Sequence, residues 1–307
     1  MSVRLDLSKL DANIARYSAK VREAGVALRV HVKGHRVPAI TARQMKAGAV
    51  GVSVHSAAEA KAHARAGALD VVVARPWRDP WRWPLFAELA RSCEVSVHVG
   101  DPAVVPGLAA AARAAGTRLG VRIEVDTGVA PREAVALARS VNGESSLRLD
   151  GVTGYATINT AKEARRRFEL GRRHAKLLVR IADELRRAAL PCPVVSVGGT
   201  PTLAGALSVA GVTEVCCGAY ALLDSGLAAL GECGLDDVAV SLGEDDTDLL
   251  TGADQVWEPG LTMVRVGEST VLPAHICPLV AKRPLLRVLR DGVQVAVWRA
   301  LVEPDRP

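Results

Sequence analysis

Lys33 ends the stretch Ala27-Leu-Arg-Val-His31-Val-Lys33-Gly34-His35-Arg36, with three other basic side chains within three positions of it. An amine crowded by cations and drawn out of water has its charged form disfavoured, which leaves the free amine ready to form a Schiff base with an aldehyde. A solvated lysine on a basic turn is the competing reading. A second group is Ser196-Val-Gly198-Gly199-Thr200-Pro-Thr202, followed further on by Gly218-Ala219-Tyr220. Glycines let backbone amides close on a phosphate, and the Thr200 hydroxyl adds a side-chain partner. A third group is His275-Ile-Cys277. If that piece is extended, residues two apart point to one side, and an imidazole nitrogen with a thiolate sulfur grips a soft divalent ion such as zinc. A buried cysteine beside a surface histidine is the plainer alternative.

These groups need elements that bring them together. Leu28, Val30 and Val32 alternate with polar residues, so a buried strand that stops at Gly34 delivers Lys33 to its carboxyl end. Further strands are predicted at 49–54, 71–74, 95–99, 119–125, 149–155, 194–197 and 214–217. A helix from Lys9 to Glu23 precedes the first strand, capped by Asp6 or Ser8. Helices at 38–46, 56–66, 82–91, 102–115, 131–141, 161–188 and 201–210 separate the strands. Valine-rich strands alternating with helices imply parallel strands covered on both faces. The predicted fold is α/β, a closed (β/α)8 TIM barrel, with an open doubly wound sheet as the alternative. The strands' carboxyl ends then carry Lys33, His55, Arg75, His98, Asp126, Tyr155, the Gly198-Gly199-Thr200 turn and Gly218. Barrel active sites lie at those ends, often with a phosphate after strands seven and eight. A first-strand lysine facing such a phosphate cup suggests pyridoxal phosphate (PLP), held by its aldehyde and its phosphate.

After about residue 235 strand-like pieces replace helices, at 261–266, 271–272, 285–289 and 293–298, with an Asp291-Gly292 hairpin turn between the last two. The predicted division is a PLP-binding barrel over 8–235 and a second, smaller C-terminal β domain over 236–307, joined by residues 1–7. Apolar residues at 49% and charged residues at 23% describe a soluble globular chain. The net charge of +6 comes with only 3% aromatic residues and no basic run interleaved with them, which argues against nucleic acid and fits an anionic small molecule. The arginines at 165–167 and 172–173 read as a solvated helix face. No apolar run approaches the roughly 20 residues of a membrane span, and Met1-Ser-Val-Arg-Leu-Asp-Leu lacks a signal peptide's apolar core. A cytoplasmic protein with its six cysteines reduced is expected.

Several motifs occur in a family's order: His31-Val-Lys33-Gly-His35, Ala47-Gly48-Ala49-Val-Gly51, Val125-Asp126-Thr-Gly128, Val197-Gly198-Gly199-Thr200-Pro-Thr202, Thr213-Glu214-Val with Gly218-Ala-Tyr220 and Asp224, and Pro273-Ala-His275-Ile-Cys277-Pro278. In this the chain resembles the D-threonine aldolase and D-serine dehydratase family, within the alanine-racemase-like, fold-type III group of PLP enzymes. The resemblance covers about residues 5 to 300. It implies Lys33 as the Schiff-base lysine, Gly198, Gly199, Thr200, Gly218 and Tyr220 around the phosphate, and His275 with Cys277 as ligands of a divalent metal, zinc or manganese. His31, Tyr155 and Ala219 join the cofactor contacts it implies, with Tyr155 also placed beside the chemistry. It further implies an amino-acid substrate, a homodimer, and a metal-assisted lyase acting on a β-hydroxy-D-amino acid. Retro-aldol cleavage is the leading expectation. Dehydratase-like β-elimination, racemisation or epimerisation, and non-catalytic PLP binding are the alternatives. Three departures stand out. Val129-Ala130 runs straight to Pro131 where the family has an arginine triplet, Tyr155-Ala-Thr157-Ile-Asn159 lacks the family's Gly-His pair, and the β domain is compressed between Asp236 and Glu258.

Overall fold

The structure is a computed structural model and describes residues 3–125, 131–158, 161–243, 264–266 and 270–301. Strand β1 (Val3–Asp6) leads directly into helix α1 (Leu7–Glu23). The Asp6 carboxylate caps that helix by accepting from the amides of Ser8 and Lys9 at 2.9 and 3.0 Å. Eight strands follow: β2 (Ala27–His31), β3 (Gly51–Val54), β4 (Asp70–Val73), β5 (Glu94–Val99), β6 (Leu119–Glu124), β7 (Leu147–Tyr155), β8 (Val194–Gly198) and β9 (Glu214–Cys217). Each pairs in parallel with the next, and β9 pairs with β2, so the barrel closes. Helices α2 (Pro38–Lys46), α3 (Ala57–Ala64), α4 (Trp83–Leu89), α5 (Val105–Ala115), α6 (Pro131–Asn142), α7 (Ala161–Arg165), α8 (Arg167–Arg187) and α9 (Leu203–Leu207) lie between the strands. The α8 helix shows why they pack outside. Gly171, His174, Ala175, Leu178, Ile181, Ala182 and Leu185 fall on one buried stripe, while Arg172 stays half-exposed beside Glu169 at 3.0 Å.

The barrel interior is polar below its mouth. Arg29 bonds Glu214 at 2.9 Å and both oxygens of Asp70 at 3.0 Å, while Arg122 and the Ser196 hydroxyl bond the same glutamate. Burial pushes the Glu214 carboxyl up, but the two guanidinium groups outweigh it and hold the carboxyl down at about 2.

The remaining elements are α10 (Ser225–Ala229), β10 (Val240–Gly243), β11 (Val264–Val266), β12 (Thr270–Leu272), α11 (Ile276–Lys282), β13 (Leu285–Arg290) and β14 (Val293–Arg299). They build a six-stranded sheet in the order β11-β12-β10-β1-β13-β14. It is antiparallel except where β1 lies parallel to β13, so the chain's first strand does join this sheet. Asp291 and Gly292 both have positive φ, which makes the tight turn between β13 and β14.

Three expectations shift. The first barrel strand ends at His31 rather than running through Lys33, because the imidazole caps a 3-10 turn over Val32–Gly34. The helix expected over 161–188 is two helices, with Arg166 between them at φ −109° and ψ 23°. The third concerns His275-Ile-Cys277, which is not extended: His275 precedes α11 and Cys277 lies in its first turn. Asp126, Gly128, Val129, Ala130, Asn159 and residues 261–263 of the predicted strand, with most of the compressed segment, lie outside the described residues.

Candidate active site

The His31 Nδ1 accepts the Lys33 amide at 3.4 Å, which bends the chain at the end of β2 and turns the half-buried lysine over the barrel mouth. Its Nζ lies 5.3 Å from the centre of the Tyr155 ring. Burial first, then the neighbouring Lys33 and His55, keeps the His31 imidazole far below its ordinary range, so it is neutral. The His55 ring meets it edge-on at 5.1 Å and is held down at about 4 by burial, then by Lys33 and Arg36.

The turn carrying Lys33 touches the turn after β9 through bare backbone. A Cβ on Gly34 would stand 2.7 Å from the Gly218 carbonyl oxygen, and one on Gly218 would stand 2.6 Å from the His31 carbonyl oxygen. On the next strand Gly199 adopts φ +116°, and a Cβ on Gly198 would meet the Tyr155 ring at 2.8 Å. Thr200 follows, with its buried Oγ1 lacking any oxygen or nitrogen partner. Behind it the Cys217 thiol is pushed up by burial.

Asp224, fully buried, accepts the Leu227 amide at 2.8 Å and the Ile276 amide at 3.1 Å, and its Oδ2 lies 3.4 Å from His275 Nδ1. Burial would lower the His275 imidazole, but hydrogen bonding to Asp224 and Cys277 raises it to about 9.

Lys33, His31, Tyr155, Gly198, Gly199, Thr200, Gly218, Ala219, His275 and Cys277 all line one cavity of about 460 Å³. The Tyr220 side chain does not. It is fully buried, its hydroxyl accepting from Gln44 Nε2 at 3.0 Å and its ring meeting Tyr17. His55, His98, Glu124 and Cys216 also line the cavity although sequence reasoning did not place them in the site. For His55 and His98 the signal was their strand-end position, and for Cys216 it was its place two residues before Gly218 on the inward face of β9. Arg132 lies in the first turn of α6, exposed.

Residues 5–225 match the alanine racemase N-terminal domain. The chain belongs to the alanine racemase N-terminal domain family. Within that family it is 35% identical over 248 residues to D-threo-3-hydroxyaspartate dehydratase of Delftia sp. strain HT23, a match spanning 78% of this chain and 65% of that protein. It is 25% identical over 343 residues to D-threonine aldolase of Arthrobacter sp., spanning 97% and 90% of the two chains. Among solved structures, a variant of D-threo-3-hydroxyaspartate dehydratase in a metal-free form superimposes with a TM-score of 0.84 at 26% identity, covering 98% of this chain and 97% of that one.

The residues of this member fit the PLP of the fold-type III group. The Thr200 hydroxyl, which has no oxygen or nitrogen partner, and the glycine backbone that a Cβ would obstruct form a cradle suited to a phosphate, and Lys33 lines the same cavity. The donor set of His275 and Cys277, with a carboxylate behind the imidazole, suits a soft divalent metal that keeps open positions. Among the described residues no cluster of three or more such donors exists.

Proposed function

We propose that this chain is a PLP-dependent, metal-assisted lyase that cleaves a β-hydroxy-D-amino acid by a retro-aldol reaction. One observation carries the reading: the lysine amine, the glycine and threonine cradle and the His-Cys pair open into a single cavity. When bound, PLP supplies an aldehyde for the Lys33 amine and a ring that takes up electron density from Cα. Gly198, Gly199, Thr200, Gly218 and Ala219 would hold its phosphate, with Tyr155 and His31 beside Lys33. His275 and Cys277 would hold zinc or manganese, whose charge acidifies a β-hydroxyl.

In retro-aldol cleavage the β-hydroxyl loses its proton, the Cα–Cβ bond breaks, a carbonyl forms at Cβ, and Cα takes a proton, giving an aldehyde and glycine. His31 and His55, kept neutral, are among the bases that line the cavity and can take the hydroxyl proton. Lys33 moves the proton at Cα. Tyr155, pushed up to about 12 by burial, stays a phenol with its ring beside Lys33. A second reading, β-elimination, has Lys33 remove the Cα proton while hydroxide leaves Cβ; it is favoured by the 35% identity to a dehydratase.

The proposal includes a cytoplasmic homodimer divided into a barrel over 8–235 and a sheet domain over 236–307 with residues 1–7. Six free cysteines suit a reducing compartment, and among the described residues no helix is long and apolar enough to cross a membrane. The PLP-loaded protein is expected to absorb at the edge of the visible and Lys33→Ala to lose that band; a wild type without it overturns the reading. Product assays then separate the two reactions. Given 3-hydroxy-D-aspartate, glycine with glyoxylate marks retro-aldol cleavage, and a 2-oxo acid with ammonia marks elimination.

A further inference from the structure

The turn that carries Lys33 closes on a strained residue. The amides of His35 and Arg36 both donate to the Val32 carbonyl, at 2.9 and 2.6 Å, so Lys33 sits inside a loop shut by two bonds to one oxygen. Arg36 completes that loop with φ +54°, in the left-handed region where a Cβ crowds the backbone. Glycine adopts this conformation without the crowding. A side chain kept in a strained backbone marks a functional constraint, and here the side chain has a partner.

The half-buried guanidinium reaches across to α3, where its Nε lies 3.8 Å from Oε1 of Glu59. Glu59 is buried, and its other oxygen accepts the His55 amide at 2.7 Å. Its own amide donates to Ser56 Oγ at 3.2 Å, which fixes the carboxylate at the start of the helix. Lys33 and His55 line the same cavity, so the ion pair joins two turns that bear cavity residues, one after β2 and one after β3. A buried carboxylate that loses its cation is left uncompensated, and the pair therefore resists opening. On the other side the Arg36 carbonyl accepts the Leu301 amide at 2.8 Å, which ties the segment after β14 to the same turn. Arg36 itself is not among the residues that line the cavity, so whatever it does there it does through its neighbours.

We propose that Arg36 is a positioning residue, whose ion pair with Glu59 locks the Lys33 turn against the His55 turn at the spacing PLP requires. This rests on PLP as the cofactor and not on which lyase reaction follows. The experiment measures the PLP affinity of the apoprotein by fluorescence titration, together with apoprotein Tm, for wild type, Arg36→Lys and the double variant Arg36→Gly with Glu59→Gln. The double variant has neither the backbone strain nor a stranded charge, and its glutamine still accepts the His55 amide, so its Tm is expected to match or exceed that of wild type. Its PLP affinity is expected to fall at least about tenfold, because only the link between the two turns is gone. Arg36→Lys keeps the charge on the same strained backbone and is expected to stay within about threefold of wild type, since a 3.8 Å contact uses the charge rather than the planar fork. Wild-type PLP affinity in the double variant overturns the assignment. So does a loss of affinity that comes with a loss of Tm, or an Arg36→Lys protein as weak as the double variant. A wild type that takes up no PLP defeats the cofactor reading and this inference with it, whereas normal uptake beside an unaffected double variant defeats the inference alone.

Discussion

His275 presents Nδ1 to Asp224 at 3.4 Å, which fixes the orientation of the imidazole beside Cys277. Asp224 is itself held by two backbone amides, so the imidazole is oriented by a group that has little freedom to move. A metal held as proposed by His275 and Cys277 would leave its other positions to water or substrate oxygen, the pattern of a catalytic site. A site with so few ligands does not survive losing one. Cys277→Ala is expected to weaken zinc binding at least about tenfold, measured as zinc retained after dialysis. Wild-type zinc content in that variant removes Cys277 from the ligand set.

At the scale of elements, the lysine and the phosphate cradle sit on neighbouring strands and must keep the spacing that one cofactor molecule dictates. The Gly34–Gly218 contact sets it from one side. A buried relay sets it from the other. His35 Nδ1 accepts the Val37 amide at 3.0 Å, so its proton is on Nε2 and is donated to Gln44 Oε1 at 3.1 Å. That leaves the Gln44 amide nitrogen to donate to Tyr220 at 3.0 Å, linking the turn of Lys33 to the turn of Gly218 through α2. Gln44→Leu strands buried polar groups, at about 1–3 kcal/mol each, and is expected to weaken PLP binding about tenfold as well as lower Tm. A lower Tm with wild-type PLP affinity, read by fluorescence titration, would make the relay structural alone.

For the whole molecule, the buried histidines set the acid limit of stability. His35 and His63 are fully buried and held down at about 3 and about 4, in both cases chiefly by burial. The unfolded chain protonates them near 6.5. Their contribution is therefore complete above pH 6.5 and is lost as pH falls towards the folded values, by about 1.4 kcal/mol per pH unit for each. Glu214 adds a lower window, its share disappearing as pH drops from about 4.5 towards 2. Urea unfolding between pH 7.5 and 5 isolates the histidines. His63→Gln, which retains a partner for Thr41, is expected to flatten the pH slope by about 1.4 kcal/mol per unit. Parallel curves for the two proteins would refute this.

The eight strand–helix units, Lys33, the Gly198-Gly199-Thr200 turn and the Asp291-Gly292 hairpin were legible from the sequence alone, because residue periodicity and turn chemistry are local signals. Tertiary structure decided the rest. Only closure of β9 onto β2 sets Gly218 against Gly34, and only the distant Asp224 converts an expected extended His275-Ile-Cys277 into a helix start. Each depends on groups far apart in the chain, and no local pattern records which distant partner will satisfy a buried polar group.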